Sequence, residues 1–195
     1  CGLIIPISEW VLKTACAQLQ QWDKIVPESF ALSINLSAIH FRQKNIVNDI
    51  ISSLKQYNIA AHNFELELTE SIVMDDPEQS IATLYELRDA GVKLSIDDFG
   101  TGYSSFNYLK ELPITAIKID KSFIDNIDIF SRDLALVKSI IDIAHTLELE
   151  VVAEGIETVK MQDLLKQSKC DVAQGYLYSK PVPPEQFIRL LEQAF

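Results

Sequence analysis

One α/β domain, built on a parallel sheet with helical crossovers, is the fold that this sequence predicts. Three observations carry that prediction. Strand-like runs followed by helix-like runs occur six times in succession. Polar and charged residues gather where the strand-like runs end, which is where α/β barrels and doubly wound sheets place their sites. The 195 residues are 48% hydrophobic and contain no low-complexity segment, charge block or Pro/Gly-rich linker, so they suit a single domain with a sizeable core.

The elements follow in order. Ile7 to Trp22 reads as a helix, with Trp10, Val11, Thr14, Ala15, Gln18 and Leu19 near helical spacing. Phe30 to Leu36 is the first strand. Ile46 to Tyr57 returns to helix, with Ile46, Val47, Ile50, Ile51 and Leu54 on one stripe. Phe64 to Thr69 is the second strand. Asp76-Pro77-Glu78 starts a helix with a capping acid, a proline at the first helical position and a second acid favoured by the dipole. Gly91 closes it. Val92 to Asp97 is the third strand, and a short helix around Ser104 to Lys110 stops before Pro113. Thr115 to Asp120 is the fourth strand. Arg132 to Leu147 is a long helix with Leu134, Val137, Ile140, Ile141 and Ala144 at helical spacing. Glu150 to Ala153 is the fifth strand, Val159 to Gln167 a helix, Asp171 to Tyr176 a short sixth strand, and Pro184 to Ala194 the last helix, with Phe187, Leu190 and Leu191 inward. Trp10 and Trp22 are expected to pack in the core or between helices. The dispersed His40, His62 and His145 are expected on the surface or on helices.

Charge and cysteine usage narrow the function classes. The net charge of −11 repels phosphate polymers, which argues against DNA or RNA as a partner. An anionic small substrate would need local cations, and metal ions are the natural supply. Cys1, Cys16 and Cys170 are odd in number and show no CxxC spacing, which suits a reducing compartment rather than a disulfide frame or a zinc cluster. No apolar run approaches a membrane span and no signal peptide is visible, so no membrane contact is expected of this piece. A cytoplasmic location follows, with room for tethering of a parent protein through other domains. The chain opens at Cys1 with no initiator Met and reads as a piece of something longer.

Asp97 and Asp98 are the sharpest local signal. Neighbouring residues inside a strand point to opposite faces, but at a strand end the backbone bends and both carboxylates can reach one site. Together they repel unless a cation or a shared proton offsets the charge. A solvated Asp-Asp-Gly turn is the plainer explanation of the pair alone. The other strand ends supply partners: Asn35 on the first, Glu67 and Glu70 on the second, Lys118 and Asp120 on the fourth, Glu154 and Glu157 on the fifth, and Gln174 on the sixth. Each has an ordinary explanation by itself; Glu67 alternates with leucines, and Lys118 sits between isoleucines, which leaves its face open. The joint coincidence at six strand ends favours a site. Asn35, Glu67, Asp97 and Asp98 offer oxygen donors only, which suits Mg²⁺ or Mn²⁺. One carboxylate between two metals would suit phosphoester cleavage. Lys118 could orient water or neutralise a phosphate oxygen, and Glu154 could take a proton.

At this point Asp97-Asp-Phe-Gly-Thr-Gly-Tyr-Ser-Ser105 is seen to resemble the DDFGTGYSS loop of the EAL-domain family of cyclic-di-GMP phosphodiesterases. Asn35-Leu-Ser37, Glu67-Leu-Thr-Glu70, Ile117-Lys-Ile-Asp-Lys-Ser-Phe-Ile124, Val152-Ala-Glu-Gly-Ile-Glu-Thr158 and Gln174-Gly-Tyr-Leu-Tyr-Ser-Lys-Pro181 agree with it in order. The resemblance spans essentially the whole chain. It implies a TIM-like (β/α) barrel and metal-dependent opening of cyclic-di-GMP to linear pGpG. It implies Asn35, Glu67, Asp97 and Asp98 as metal ligands, with Asp97 as the bridge, and a two-metal Mg²⁺ or Mn²⁺ site. Lys118 resembles the lysine that positions water, and Glu154 the proposed general base or further ligand. Glu70 resembles the acid that anchors the loop; Asp120, Glu157 and Gln174 fall among the remaining residues around the site. A homodimer through the loop after Asp98 is also implied.

Phe106 stands where leucine is more usual. The Glu-Ala-Leu motif that names the family is absent, and six strands are present where such a barrel needs eight. Residues 1–195 are therefore expected to be one EAL domain lacking its N-terminal strands, with an impaired metal site and an open edge. The rival within the family is a catalytically silent module that binds cyclic-di-GMP or a protein partner. Enolase-type proton abstraction would also use a strand-borne lysine with carboxylate ligands. A kinase reading of Asp98-Phe-Gly100 fails, because the lysine motif, catalytic loop and Gly-rich loop are missing.

Overall fold

The computed structural model describes residues 2–101, 109–128 and 131–194. Six strands are present among them: β1 (Leu32–Asn35), β2 (Phe64–Thr69), β3 (Lys93–Phe99), β4 (Ala116–Ile119), β5 (Glu150–Ala153) and β6 (Val172–Ala173). They form one sheet in the order β1-β2-β3-β4-β5-β6, and every pair is parallel. A doubly wound sheet would reverse its order at a switch point. Here the order never reverses, which is the progression of a barrel.

The described helices are α1 (Ile4–Trp22), α2 (Ala38–Phe41), α3 (Ile46–Gln56), α4 (Glu70–Met74), α5 (Pro77–Asp89), α6 (Lys121–Ile124), α7 (Arg132–Thr146), α8 (Val159–Gln167) and α9 (Pro184–Ala194). The helix expected from Ile7 begins three residues earlier. Pro6 then falls in the first turn, where a missing N–H leaves no bond unmade. The expected start of α5 is present: Pro77 is its first residue, and the Asp76 carboxylate accepts from the Gln79 N–H at 3.3 Å. Its end is also as expected, with Gly91 at φ +91° and its N–H bonded to the Arg88 carbonyl. The short helices α2, α4 and α6 were not expected. The helix around Ser104 falls mostly outside the described residues.

Alternation within the strands separates two faces. Leu66, Leu68, Leu94, Ile96, Ile117, Ile119, Val151 and Ala153 share one face and are at most 1% exposed. The helices bury this face, through stripes such as Leu134, Val137, Ile141 and Ala144 of α7. The other face is polar. Asn35 is in register with Glu67, Glu67 with Ser95, and Ser95 with Ala116. Lys118 is in register with Val152, and Val152 with Val172. Register partners in a parallel sheet point the same way, as do residues two apart along a strand. Asp97, Lys118, Glu154 and Gln174 therefore join Asn35 and Glu67 on this inner face.

The ends of the sheet are drawn together. Phe187 of α9 packs on Trp22 of α1, with ring centroids 5.2 Å apart, and on Phe30 before β1 at 6.1 Å. The helix after the last strand thus rests on the elements around the first, so the sheet is rolled. Six strands of the eight that closure requires make it an incomplete TIM-like barrel. Two expectations, those for Trp10 and Leu190, need correction. Trp10 is 65% exposed and packs in no core, whereas Trp22 is buried. His40 lies on a helix, as expected, and is buried where α2 packs against α1. Leu190 of α9 is exposed. No described helix is long and apolar enough to cross a membrane. Burial pushes the thiols of Cys16 and Cys170 up to about 11, so both are poor nucleophiles at neutral pH.

Candidate functional site

Lys118 is the centre of the polar face. Its Nζ lies 2.7 Å from Glu154 Oε1, 2.9 Å from Glu67 Oε1 and 3.3 Å from Asp97 Oδ1. The sheet register explains the convergence, since β2, β3, β4 and β5 are consecutive neighbours. Lys118 alternates with Ile117 and Ile119, which face the helices, so its side chain must enter the barrel. It is 5% exposed. A buried ammonium requires partners, and here it bonds two carboxylates and lies close to a third.

Asp97 and Asp98 reach one side of β3 by a device that alternation alone does not provide. Ile96 and Phe99 are three apart along β3, while their partners Ile117 and Ile119 are two apart along β4. The extra residue makes a bulge. Asp98 sits in it at φ +52°, a left-handed conformation that Asp tolerates better than most residues. β3 therefore runs through the pair to Phe99 instead of ending at Asp97. Ligand oxygens of Asp97, Asp98 and Glu154 lie within 4.8 Å of one another.

The electrostatics are those of a crowded anionic pocket. Burial holds the Glu67 carboxyl above its ordinary range, despite the hydrogen bond from Lys118. Burial, then the charges of Asp97 and Asp120, push Asp98 up as well. Burial alone would lower Lys118, but its bonds to Glu154 and Glu67 outweigh it and hold it above its usual value. These directions are consistent, because one ammonium is divided among several carboxylates while it is itself surrounded by them. Asp97 Oδ1 is buried and, although 3.3 Å from Nζ, has no well-directed hydrogen bond. Four carboxylates face one cation, all donors are oxygen, and one buried oxygen is orphaned. That set fits a hard divalent cation.

Not every expected residue joins this cluster. Asn35 lies on the same face, in register with Glu67, but is exposed at the β1 edge. Glu70 begins α4 and is buried, lining a small apolar cavity with Val73, Ile96, Phe99 and Leu109. The Asp120 carboxylate caps α6, accepting from the Ser122 N–H and hydroxyl. Glu157 is exposed and paired with Lys121 at 2.8 Å. Gln174 lies at the end of β6, where its N–H extends the ladder to the Ala153 carbonyl. Glu154, Glu157, Gln174, Lys121 and Tyr176 line a cleft of about 220 Å³ beside the cluster. Two residues were missed. Ser95 is fully buried on the inner face with an unpartnered hydroxyl, and its spacing two before Asp97 would have placed it there. Lys121 borders the cleft and could have been read from its place next to Asp120.

The family model described as the EAL domain matches residues 1–181. The chain is 41% identical over 191 residues to the cyclic di-GMP phosphodiesterase NbdA of Pseudomonas aeruginosa, covering 96% of this chain and 24% of that protein. It superposes on the c-di-GMP complex of the PaMucR phosphodiesterase with a TM-score of 0.90 at 41% identity, covering 95% of this chain and 81% of that one. The manganese/cy-diGMP complex of Klebsiella pneumoniae BlrP1 matches with a TM-score of 0.82 at 30% identity, over 91% of this chain and 45% of that one. The chain spans about a quarter of the length of the curated relatives it matches. Sheet order, carboxylate–lysine cluster and family match agree: the chain belongs to the EAL domain family.

Proposed function

We propose that this chain provides the metal-dependent centre of a phosphodiesterase that opens cyclic-di-GMP to linear pGpG. The observation that carries the proposal is the convergence of Glu67, Asp97 and Glu154 on Lys118, with Asp98 beside them. Glu67, Asp97 and Asp98 are the residues to hold Mg²⁺ or Mn²⁺, with Asn35 from the neighbouring edge. The bound metal would supply Lewis acidity toward a phosphate oxygen and lower the pKa of a bound water. Asp97 has the central position suited to bridging. Glu154, on the open side of the cluster, is placed to accept a proton. Lys118 carries the positive charge on which a water or a phosphate oxygen can be oriented. Glu70, behind β3, supports the loop after Asp98. Asp120 fixes the start of α6, and Glu157 and Gln174 border the cleft in which a substrate would lie.

The test is hydrolysis of cyclic-di-GMP with Mg²⁺ or Mn²⁺ by the protein that carries this domain. Product analysis should give pGpG, and Asp97→Asn should lower turnover by about a hundredfold or more, the scale of losing a preorganised charge. Near-normal turnover by Asp97→Asn would remove the proposed centre. Binding of cyclic-di-GMP with no turnover would make the domain a silent receptor. The reading extends to the rest of the barrel. Asn35 stands at an open sheet edge, and six strands leave closure incomplete, so these 195 residues alone should turn over more slowly than a chain that completes the barrel. The homodimer contact is assigned to the loop after Asp98, of which residues 102–108 lie outside the described residues. Sedimentation of the active protein tests that assignment.

A further inference from the structure

The ion pairs of Lys118 carry a consequence for metal loading. Its ammonium is hydrogen-bonded to Glu154 and Glu67, at 2.7 and 2.9 Å, and ion-paired with Asp97 at 3.3 Å. These are oxygens that a metal ion would also claim, and an oxygen lone pair given to one cation is withheld from the other. The two positive charges also repel at such range, in a site where burial limits screening. Among the described residues the cleft supplies no unpaired cation. Lys121, the nearest basic residue in the cleft, is bound to Glu157 at 2.8 Å and approaches Asp125 at 3.7 Å.

We propose that Lys118 is the resident counter-ion of the metal-free site, so that metal enters by exchange for its ammonium. The inference rests on the metal-dependent reading above and deepens it. In the metal-free protein, Lys118 prevents Glu67, Asp97 and Glu154 from repelling one another and keeps their oxygens in place. Asp97 Oδ1, near Nζ but without a directed hydrogen bond, is the oxygen held most loosely and the first that an incoming cation can take. Transfer of the carboxylates to metal then frees protons of the ammonium for a different acceptor. The lysine therefore weakens metal binding while it preserves the metal-free geometry, two effects that a purely structural lysine would not combine.

The experiment measures Mn²⁺ affinity by titration calorimetry at pH 8, with metal-free and Mn²⁺-saturated melting temperatures, for the protein that carries this domain, unmodified and as Lys118→Met. Met approximates the length of the side chain and removes its charge. The expected result is Mn²⁺ binding at least about tenfold tighter in Lys118→Met. Its metal-free melting temperature should be lower, and the rise on adding Mn²⁺ larger than in the unmodified chain. Equal or weaker Mn²⁺ binding by a folded Lys118→Met overturns the exchange. If the variant does not fold without metal, the unmodified chain decides. Its ¹⁵N-lysine side-chain spectrum is followed while diamagnetic Mg²⁺ is added. The Lys118 Nζ resonance should move in step with Mg²⁺ occupancy, and an unchanged resonance at saturation refutes the proposal. Absence of any Mn²⁺ or Mg²⁺ binding by the unmodified chain sinks the metal reading itself, whereas binding without a Lys118 response sinks the exchange alone.

Discussion

Asp98 shows how a single residue can be strained and still be the right one. Its φ of +52° costs most side chains about 1 kcal/mol, and Asp and Asn are the least penalised after glycine. The strain is what turns its carboxylate toward Asp97 and Glu154. Burial, and then the charges of Asp97 and Asp120, raise its pKa. A carboxyl raised in the folded state contributes stability that is complete below its unfolded value and is lost as pH rises through its folded value. Asp98→Asn keeps the tolerance for this backbone and removes the charge. Without metal, in EDTA, this variant should therefore melt above the parent at pH 7, and the gain should shrink as pH falls toward about 4. Asp98→Ala loses the backbone tolerance and should be less stable than Asp98→Asn by about 1 kcal/mol in urea unfolding. A lower melting temperature for Asp98→Asn at pH 7 would mean that the carboxylate stabilises the metal-free fold and that the crowding argument is mistaken.

At the scale of elements, the chain just past β6 makes one very close approach. A Cβ on Gly175 would stand 2.2 Å from the backbone N and O of Ile156. Around that point Ile156 N–H donates to the Gln174 carbonyl at 3.0 Å, and Leu177 N–H donates to the Ile156 carbonyl at 2.9 Å. Backbone cannot yield as a flexible side chain can, so Gly175→Ala should separate the two segments and cost about 3 kcal/mol, read as a lower urea midpoint. A midpoint within error of the parent would show that this crossing is slack. The same scale explains what the sequence made legible. Helix α7 was readable because Leu134, Val137, Ile141 and Ala144 repeat over about three turns, and α5 because Asp76 and Pro77 carry local start chemistry. Helices α2, α4 and α6 have four or five residues, too few for a period, and only the caps Ser37 and Asp120 hinted at two of them. The site residues were nominated by their positions at strand ends. Their grouping on Lys118 was not legible, because it depends on the register of four strands far apart in sequence. The bulge at Asp98 was hidden for the same reason, since a bulge exists only relative to its partner strand.

For the whole molecule, the polar face must be enclosed well enough to hold charge while the sheet remains an incomplete barrel. The contact between Phe187 and the Trp22–Phe30 pair is the visible means of drawing the two ends together. It joins α9, beyond β6, to the elements that lead into β1, at the two edges where no neighbouring strand gives support. Tilted and edge-on ring contacts add to the apolar area that they bury. Phe187 is half-buried, so Phe187→Ala should cost about 2 kcal/mol, below the range for a fully buried phenylalanine. The loss should be uneven. β2, β3 and β4 are paired on both sides and hold Glu67, Asp97 and Lys118, whereas β1 and β6 each have one neighbour. Hydrogen exchange in Phe187→Ala should therefore accelerate at β1 and β6 while β2 to β4 keep nearly the protection allowed by global unfolding. Trp22 emission should shift to longer wavelength as its ring loses cover. Equal acceleration in all six strands would show that the ring contact supports the core as a whole; unchanged exchange at β1 and β6 would show that the rolled shape is set by sheet twist and helix packing without it.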